Sequence, residues 1–538
     1  VSVALDVARR ADAHRHPAVP VGVAVAALLV LGLVALPPVY LVIRGLALDP
    51  ERWDLVLRRR SLDLAWNTLA RAAVVTAGAT VLGLAAAWLA VRTDLPARRL
   101  WATLFALPLV FPSYVGTFAI LAFAGPRGIL QRWLEPLGVE RLPDLASLPG
   151  AALVLTLFTY PYVYLVAAAG LRGLDPSWEE AARTLGRGRW ETFRRVTLPL
   201  LRPSVSGGAL LVALYVLHDF GAVSLLRYPT FTQAIFLAYR GTIDRAAAAV
   251  LSLLLLAMAV LVVVAERRAR GRRARYHRAG RGTDRPPRLV LLGRWRWPAL
   301  AASGALVALA LALPAGMLVH LLLRGLAEGV PLNLTLGAVG GSALVASLGA
   351  VATVLAALPV AVVAVRGGPR LARMADGVAW LGYALPGLVV ALAFVFLTAR
   401  LPPLYQSLPL VVAAYVVLFL PQAVEPLRGA LLRLDPRLEE AGRTLGRTRG
   451  QVLRRVVVPA VLRPALAGAA LVCLTAMKEL PATMLLRPTG FETLATRVWT
   501  SASAGLYSRA AVPALLLVVV ACVPLWALAG RLGVREGG

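Results

Sequence analysis

The sequence predicts an all-α polytopic membrane protein, with about twelve transmembrane helices as two parallel six-helix repeats. Three observations carry this. The chain is 59% hydrophobic, with a mean hydropathy of +0.74, and apolar runs long enough to cross a bilayer recur along it. A polar, arginine-rich stretch at 174–203 returns 260 residues later at 434–464, and from Asp175 to Pro199 15 of 25 positions are identical to their counterparts. Six spans accompany each copy. Six is even, so each half begins and ends on the same side, and the halves are parallel rather than inverted.

The elements follow in order. A basic N-terminus with Arg9, Arg10 and Arg15 lacks the short apolar core and small-residue cleavage site of a signal peptide. Spans are expected at about 20–44, 65–91, 100–124, 149–171, 204–226 and 245–265. Glu266–Arg296 then holds twelve arginines and two acids. It reads as a cytosolic linker at 266–297, whose Trp295 and Trp297 anchor the next helix at the interface. Spans resume at about 298–323, 336–365, 374–399, 407–430, 465–486 and 508–530. The domains are therefore 1–265, the linker, and 298–538. Basic residues concentrate in the linker and the two repeated loops, which puts these and both termini in the cytosol. Arg58, Arg59 and Arg60 run against that orientation.

Ala90-Val91-Arg92 matches Ala364-Val365-Arg366 at a spacing of 274, so the first half carries extra residues, placed in the external stretch Gly125–Ser147. Pro108 is paired with Pro386 as a helix breaker inside the third spans. Such kinks are tolerated where helices pack closely or line a cavity.

The repeated loop has readable local physics. Asp175 is an N-cap, with Pro176 at the first helical position, where a missing N–H costs nothing. Glu179 and Glu180 favour the positive end of the helix dipole. Gly186 supplies the left-handed residue that ends the helix. A second short helix is expected from about Gly188 to Thr197, stopped by Pro199. The copy resembles its partner better than the apolar spans do, as a docking surface would; an ordinary cytoplasmic loop is the plainer alternative.

Several function classes are excluded. The only lysine is Lys478, so no Gly-Lys-[Ser/Thr] phosphate-binding loop exists. The net charge of +30 lies in short loops between spans, not on a nucleic-acid-binding surface. Cys473 and Cys522 sit singly in apolar runs, and the five histidines do not cluster. No metal site, cofactor site or catalytic constellation is expected.

Glu180-Ala181-Ala182, Gly186 and Leu198-Pro199 resemble the "EAA" loop of the permease subunits of ATP-binding-cassette importers. Glu440-Ala441-Gly442, Gly446 and Val458-Pro459 form a second copy, departing at Gly442, where alanine is usual. The resemblance covers essentially the whole chain. It implies the type I permease fold, with the loops docking in clefts of separate ATPase subunits, two copies in all. It also implies a periplasmic or lipid-anchored solute-binding protein, a bacterial inner-membrane location surrounded by lipid, and no catalysis in this chain. The coupling residues it implies are Glu180, Ala181, Ala182, Gly186 and Pro199, with Glu440, Ala441, Gly446 and Pro459. The stretches His218–Ile235 and Lys478–Arg497 look like those of fused iron(III) permeases; thiamine, phosphonate and other permeases share much of the architecture. An ion-gradient-driven transporter is the alternative from another class. It would not need two matching polar protrusions.

Two further positions stand out. At the spacing of 260, Asp219 matches Glu479 and His218 matches Lys478, so each fifth span holds an acid beside a base. Charge in a span is costly and normally faces a partner or a water-filled cavity. The four residues are candidates for the pathway, or for a polar pair between halves joining Lys478 to Asp219. The alternative is that both acids cap a helix break.

Overall fold

The computed structural model describes residues 19–47, 59–126, 128–241, 246–270, 289–330 and 336–533. Most of the expected linker, 271–288, therefore lies outside the described residues, as do the N-terminal arginines and Arg58.

The first half contributes α1 (Val21–Leu46), α2 (Arg59–Arg92), α3 (Arg98–Ala106), α4 (Ser113–Ala124), α5 (Ile129–Leu134) and α6 (Leu148–Arg172). It continues through α7 (Ser177–Thr184), α8 (Arg189–Thr192), α9 (Leu198–His218), α10 (Gly221–Leu225), α11 (Phe231–Gly241) and α12 (Ala246–Arg270). The second half opens with α13 (Arg296–Val307), α14 (Leu313–Ala327), α15 (Leu336–Arg366), α16 (Pro369–Ala384), α17 (Gly387–Thr398) and α18 (Leu408–Arg433). It closes with α19 (Pro436–Thr444), α20 (Arg449–Val452), α21 (Val458–Met477), α22 (Pro481–Leu486), α23 (Leu494–Ser503) and α24 (Tyr507–Gly533). Among the described residues there is no named strand, only an isolated bridge between Thr93 and Val290.

Ten described helices are long and apolar enough to cross a membrane, and two shorter apolar helices, Gly387–Thr398 and Tyr507–Cys522, occupy the remaining expected positions. A 26-residue helix such as α18 is about 39 Å long, enough for a hydrocarbon core of about 30 Å.

Two expected spans in each half are not continuous helices. The third span of the first half is α3, a 3-10 turn over Leu107–Val110, and α4. Its counterpart is α16 and α17, separated at Leu385–Pro386. Pro112 precedes α4 and Pro386 precedes α17, so Pro112, not Pro108, is the structural counterpart of Pro386. Pro108 lies within the 3-10 turn. The fifth spans break as well, between α9 and α10 and between α21 and α22. Hydroxyls satisfy the freed carbonyls: Thr232 donates to the Asp219 backbone oxygen at 2.8 Å and Thr483 to that of Glu479 at 2.9 Å. Broken backbone at membrane depth is tolerable when its polar groups are met in this way.

Pro199 does not stop a helix. Residues Phe193–Thr197 widen into a π turn that runs into α9, and Leu453–Val457 do the same before α21. The Leu198 N–H reaches back five residues to the Phe193 carbonyl, and the Val458 N–H to that of Leu453. Proline lacks an N–H and its ring would crowd the carbonyl four residues back. A wider turn over that carbonyl lets the chain stay helical.

The extra residues of the first half fall where expected, in the α4–α6 connection at 125–147, against 399–407 between α17 and α18. They carry α5.

Two compact units form, and they are not the sequence halves. One comprises 1–47, 335–497 and 519–538; the other comprises 48–334 and 498–518. In the first, α1 packs against α15, α16 and α17. In the second, α14 packs against α4, and Phe118 stacks on Tyr507 at 6.2 Å. Within each unit the centre is the same trio of second, fourth and fifth spans: α2, α6 and α9, or α15, α18 and α21.

Candidate functional site

The repeated loops fold alike. The Asp175 carboxylate accepts from the Ser177 N–H, and the Asp435 carboxylate from the Arg437 N–H, each at 2.9 Å. Both caps meet donors that a helix start would leave unpaired. The C-termini are matched in detail. Gly186 has φ +80° and Gly446 φ +77°. The Arg187 N–H bonds the Ala182 carbonyl and the Gly186 N–H that of Arg183. Arg447 with Gly442, and Gly446 with Arg443, repeat the pattern. These are the two bonds of a Schellman cap, which needs a residue at positive φ.

Of the expected coupling residues, Ala182 is buried beneath its helix, while Ala181, Ala441, Glu440 and both turn glycines are exposed. Glu180 lies in the first turn of α7. Gly442 leaves little room for the usual alanine, since a Cβ there would lie 3.0 Å from Val452 Cγ2. Pro199 and Pro459 stand in the first turns of α9 and α21.

The residues that fix each loop to the membrane helices are ones the sequence reading passed over. Glu179, one position before the motif, is buried and takes an ion pair from Arg92 at the end of α2. Thr197 donates to its other oxygen at 2.8 Å, and Arg183 lies 3.7 Å away. In the second half Arg366, at the end of α15, grips Glu439 with both Nη atoms, the longer bond being 3.1 Å. A bidentate Arg–carboxylate pair fixes orientation as well as distance. The Arg92/Arg366 match was visible as a register mark, and Glu179 and Glu439 are identical in the two loops. Together these carried the signal.

The breaks in the fifth spans form the second repeated feature. Asp219 ends α9 in extended conformation, and its carboxylate accepts from the Val223 N–H at 3.2 Å and from the Ser113 hydroxyl at 2.6 Å. Glu479 accepts from the Ala482 N–H at 3.1 Å. Each acid thus caps the short helix beyond the break. Each also faces the first residue of the second piece of the third span. In one half that residue is Ser113. In the other it is Gly387, where a Cβ would lie 2.6 Å from Glu479 Oε1. His218 closes α9 and Lys478 follows α21 as its C-cap. Nearby, Tyr162 and Tyr215 pack at 5.5 Å between centroids, and their counterparts at the spacing of 260 are Gln422 and Thr475, hydrogen-bonded at 2.9 Å. The same polar position therefore recurs between the fourth and fifth spans.

Residues 79–270 and 349–532 each match the family of binding-protein-dependent transport system inner membrane components. The chain belongs to that family. Both matches contain a repeated loop and a broken fifth span, so this inner membrane component carries the family domain twice in one chain. It is 33% identical over 514 residues to the Fe(3+)-transport system permease protein FbpB 2 of Haemophilus influenzae, covering 93% of this chain and 96% of that protein. A sulfate transport system permease protein CysW of Synechocystis is 33% identical over 184 residues, 32% of this chain and 66% of that protein. The molybdenum transport system permease protein ModB of Escherichia coli is 34% identical over 175 residues, 32% of this chain and 71% of that one.

Proposed function

We propose that this chain is the membrane pathway of an iron(III) importer, driven by two separate ATPase subunits and supplied by a solute-binding protein outside the membrane. The observation that carries the reading is the pair of loops. Each presents an exposed surface and is tied by a buried or half-buried Glu–Arg pair to the end of a central span. A force applied to a loop is thereby delivered to a helix of the pathway rather than dissipated in a flexible tether. On this reading both termini and the linker are cytosolic, and Glu180, Gly186, Glu440 and Gly446 belong to the docking surfaces. The pathway polar groups are Asp219 and Glu479 with His218 and Lys478.

Iron is favoured because similarity to the Haemophilus iron permease runs through nearly the whole of both chains, whereas the sulfate and molybdenum relatives match about a third of this one. Iron(III) is a hard cation that prefers oxygen ligands, and selection falls mainly on the binding protein. Thiamine, phosphonate or another small solute remains the alternative within the same importer class.

The test is uptake by a deletion strain and by proteoliposomes holding the chain with its ATPase. ATP-dependent iron(III) uptake that needs this chain and ignores protonophores is expected. Loss of thiamine uptake with iron uptake intact would refute the substrate. Uptake driven by an ion gradient without ATP would refute the importer.

A further inference from the structure

The two loops share one backbone design, yet they offer a partner different surfaces. Loop 174–203 exposes Trp178 and Trp190, 61% and 71% accessible. The counterparts at the spacing of 260 are Leu438 and Gly450. Leu185 and Leu445 are equally exposed in both loops, so the tryptophans make the difference.

The first loop is also backed by aromatic rings that the second lacks. Trp190 stacks on Phe193 at 5.6 Å, and Phe193 meets Trp88 of α2 edge-on at 4.7 Å. The Arg92 guanidinium lies 5.9 Å from the Trp88 ring, and Arg92 holds Glu179. An aromatic ladder therefore runs from the exposed tip to the span that anchors the loop. Its counterparts, Val362, Gly450 and Leu453, contain no ring. Thr197, which bonds Glu179, is replaced by Val457, which cannot donate.

We propose that the two loops bind the ATPase subunits unequally: loop 174–203 is the tight, rigid anchor through Trp178 and Trp190, and loop 434–464 is the weaker, more readily released contact. This rests on the importer reading above. Tryptophan is the residue most enriched among those that dominate binding energy, and it loses little freedom when already held. Glycine at 450 offers nothing to bury. Both loops carry arginine at matched positions, Arg183, Arg187 and Arg195 and again Arg443, Arg447 and Arg455, with Arg183 and Arg195 lying against Glu179 and Glu191 of their own loop. The receiving cleft on the ATPase is accordingly acidic at its rim. Two identical ATPase subunits meeting this single chain would then hold unequal sites.

The experiment titrates the cognate ATPase subunit onto the full chain in nanodiscs. Wild type is compared with Trp178→Leu/Trp190→Ala and with Leu438→Ala/Leu445→Ala. The substituted side chains are exposed, so folding is retained, and a matching size-exclusion profile checks this. Wild type should show a tight and a weak class of site. The tryptophan variant should weaken the tight class by about tenfold or more, and the leucine variant should move only the weak class. One class of site in wild type, or equal losses in both variants, would overturn the ranking. If wild type binds no ATPase, the docking reading itself fails. If ATPase affinity is unchanged while brominated lipid quenches these tryptophans, the surface belongs to the membrane and the proposal falls.

Discussion

The break between α9 and α10 and the break between α21 and α22 solve the same problem with opposite distributions of atoms. In the first, a short acid, Asp219, meets a serine at position 113. In the second, a longer acid, Glu479, meets a glycine at position 387, where a Cβ would displace its carboxylate. One side chain grows as its neighbour shrinks. The second difference is a charge. Arg71 on α2 is fully buried, donates to the Val216 carbonyl at 2.6 Å, and interacts electrostatically with Asp219. At the spacing of 274 its counterpart on α15 is Val345. The first break is thus a polar cluster beside a buried arginine, and the second an acid cap closed over a glycine. Duplicated architecture constrains the position of an acid and leaves its surroundings free to diverge.

The sharpest test removes each acid. Asp219→Ala removes the acceptor of the Val223 N–H and the Ser113 hydroxyl, and the carboxylate that offsets part of the buried Arg71 charge, and should cost about 2–3 kcal/mol. It should sharply reduce recovery of folded protein in detergent. Glu479→Ala forfeits a cap bond and costs about 1–2 kcal/mol, visible as a modest fall in thermal midpoint by size exclusion. Equal losses would remove Arg71 as the distinguishing element.

Gly387→Ser comes next. Its Cβ would displace the Glu479 carboxylate from the Ala482 N–H, a loss of about 1 kcal/mol. Adding Glu479→Asp should restore the thermal midpoint by recreating the Ser–Asp pair of the other half. A double variant no better than the single would show that the two breaks are not interchangeable in shape.

Ser113→Ala removes one donor to Asp219 and should cost about 1 kcal/mol, with the Asp219 bond to Val223 intact and uptake only mildly reduced. The smallest and most even effects belong to the loop caps. Asp175→Ala and Asp435→Ala should each cost about 1 kcal/mol of local helix stability. Faster amide exchange, equal at Ser177 and Arg437, would be the readout. Unequal exchange would extend the divergence of the halves to elements whose geometry is the same.

The loops were legible because they are polar islands in an apolar chain, and every feature of their caps is local: Asp175, Pro176 and Gly186 act on residues within one turn. The fifth-span breaks were legible only as the alternative reading of Asp219 and Glu479, which served a polar pair between halves equally well. The break at Leu107–Pro112 was not legible, because it is as apolar as the helices around it. Helix and break share a hydropathy there, and only packing decides between them. Pro199 misled because its remedy, a π turn, lies upstream and has no composition of its own. Glu179 was passed over for Glu180 because the family motif begins one residue later; its burial depends on Arg92, 87 residues away in sequence. The exchange of first helices left no local trace at all.

That exchange sets a timetable for synthesis. The partners of α1 begin at residue 335, while α1 itself ends at Leu46. A ribosome working at about 5–20 residues per second needs roughly 15–60 s to cover that interval. Throughout it, the first helix rests in the bilayer with its eventual contact face open to lipid or to whatever else is there. α14 faces no such wait, because α4 has already been made when it emerges. The two exchanges are therefore opposite in time, and the N-terminal helix is the segment whose assembly depends on a long-deferred appointment.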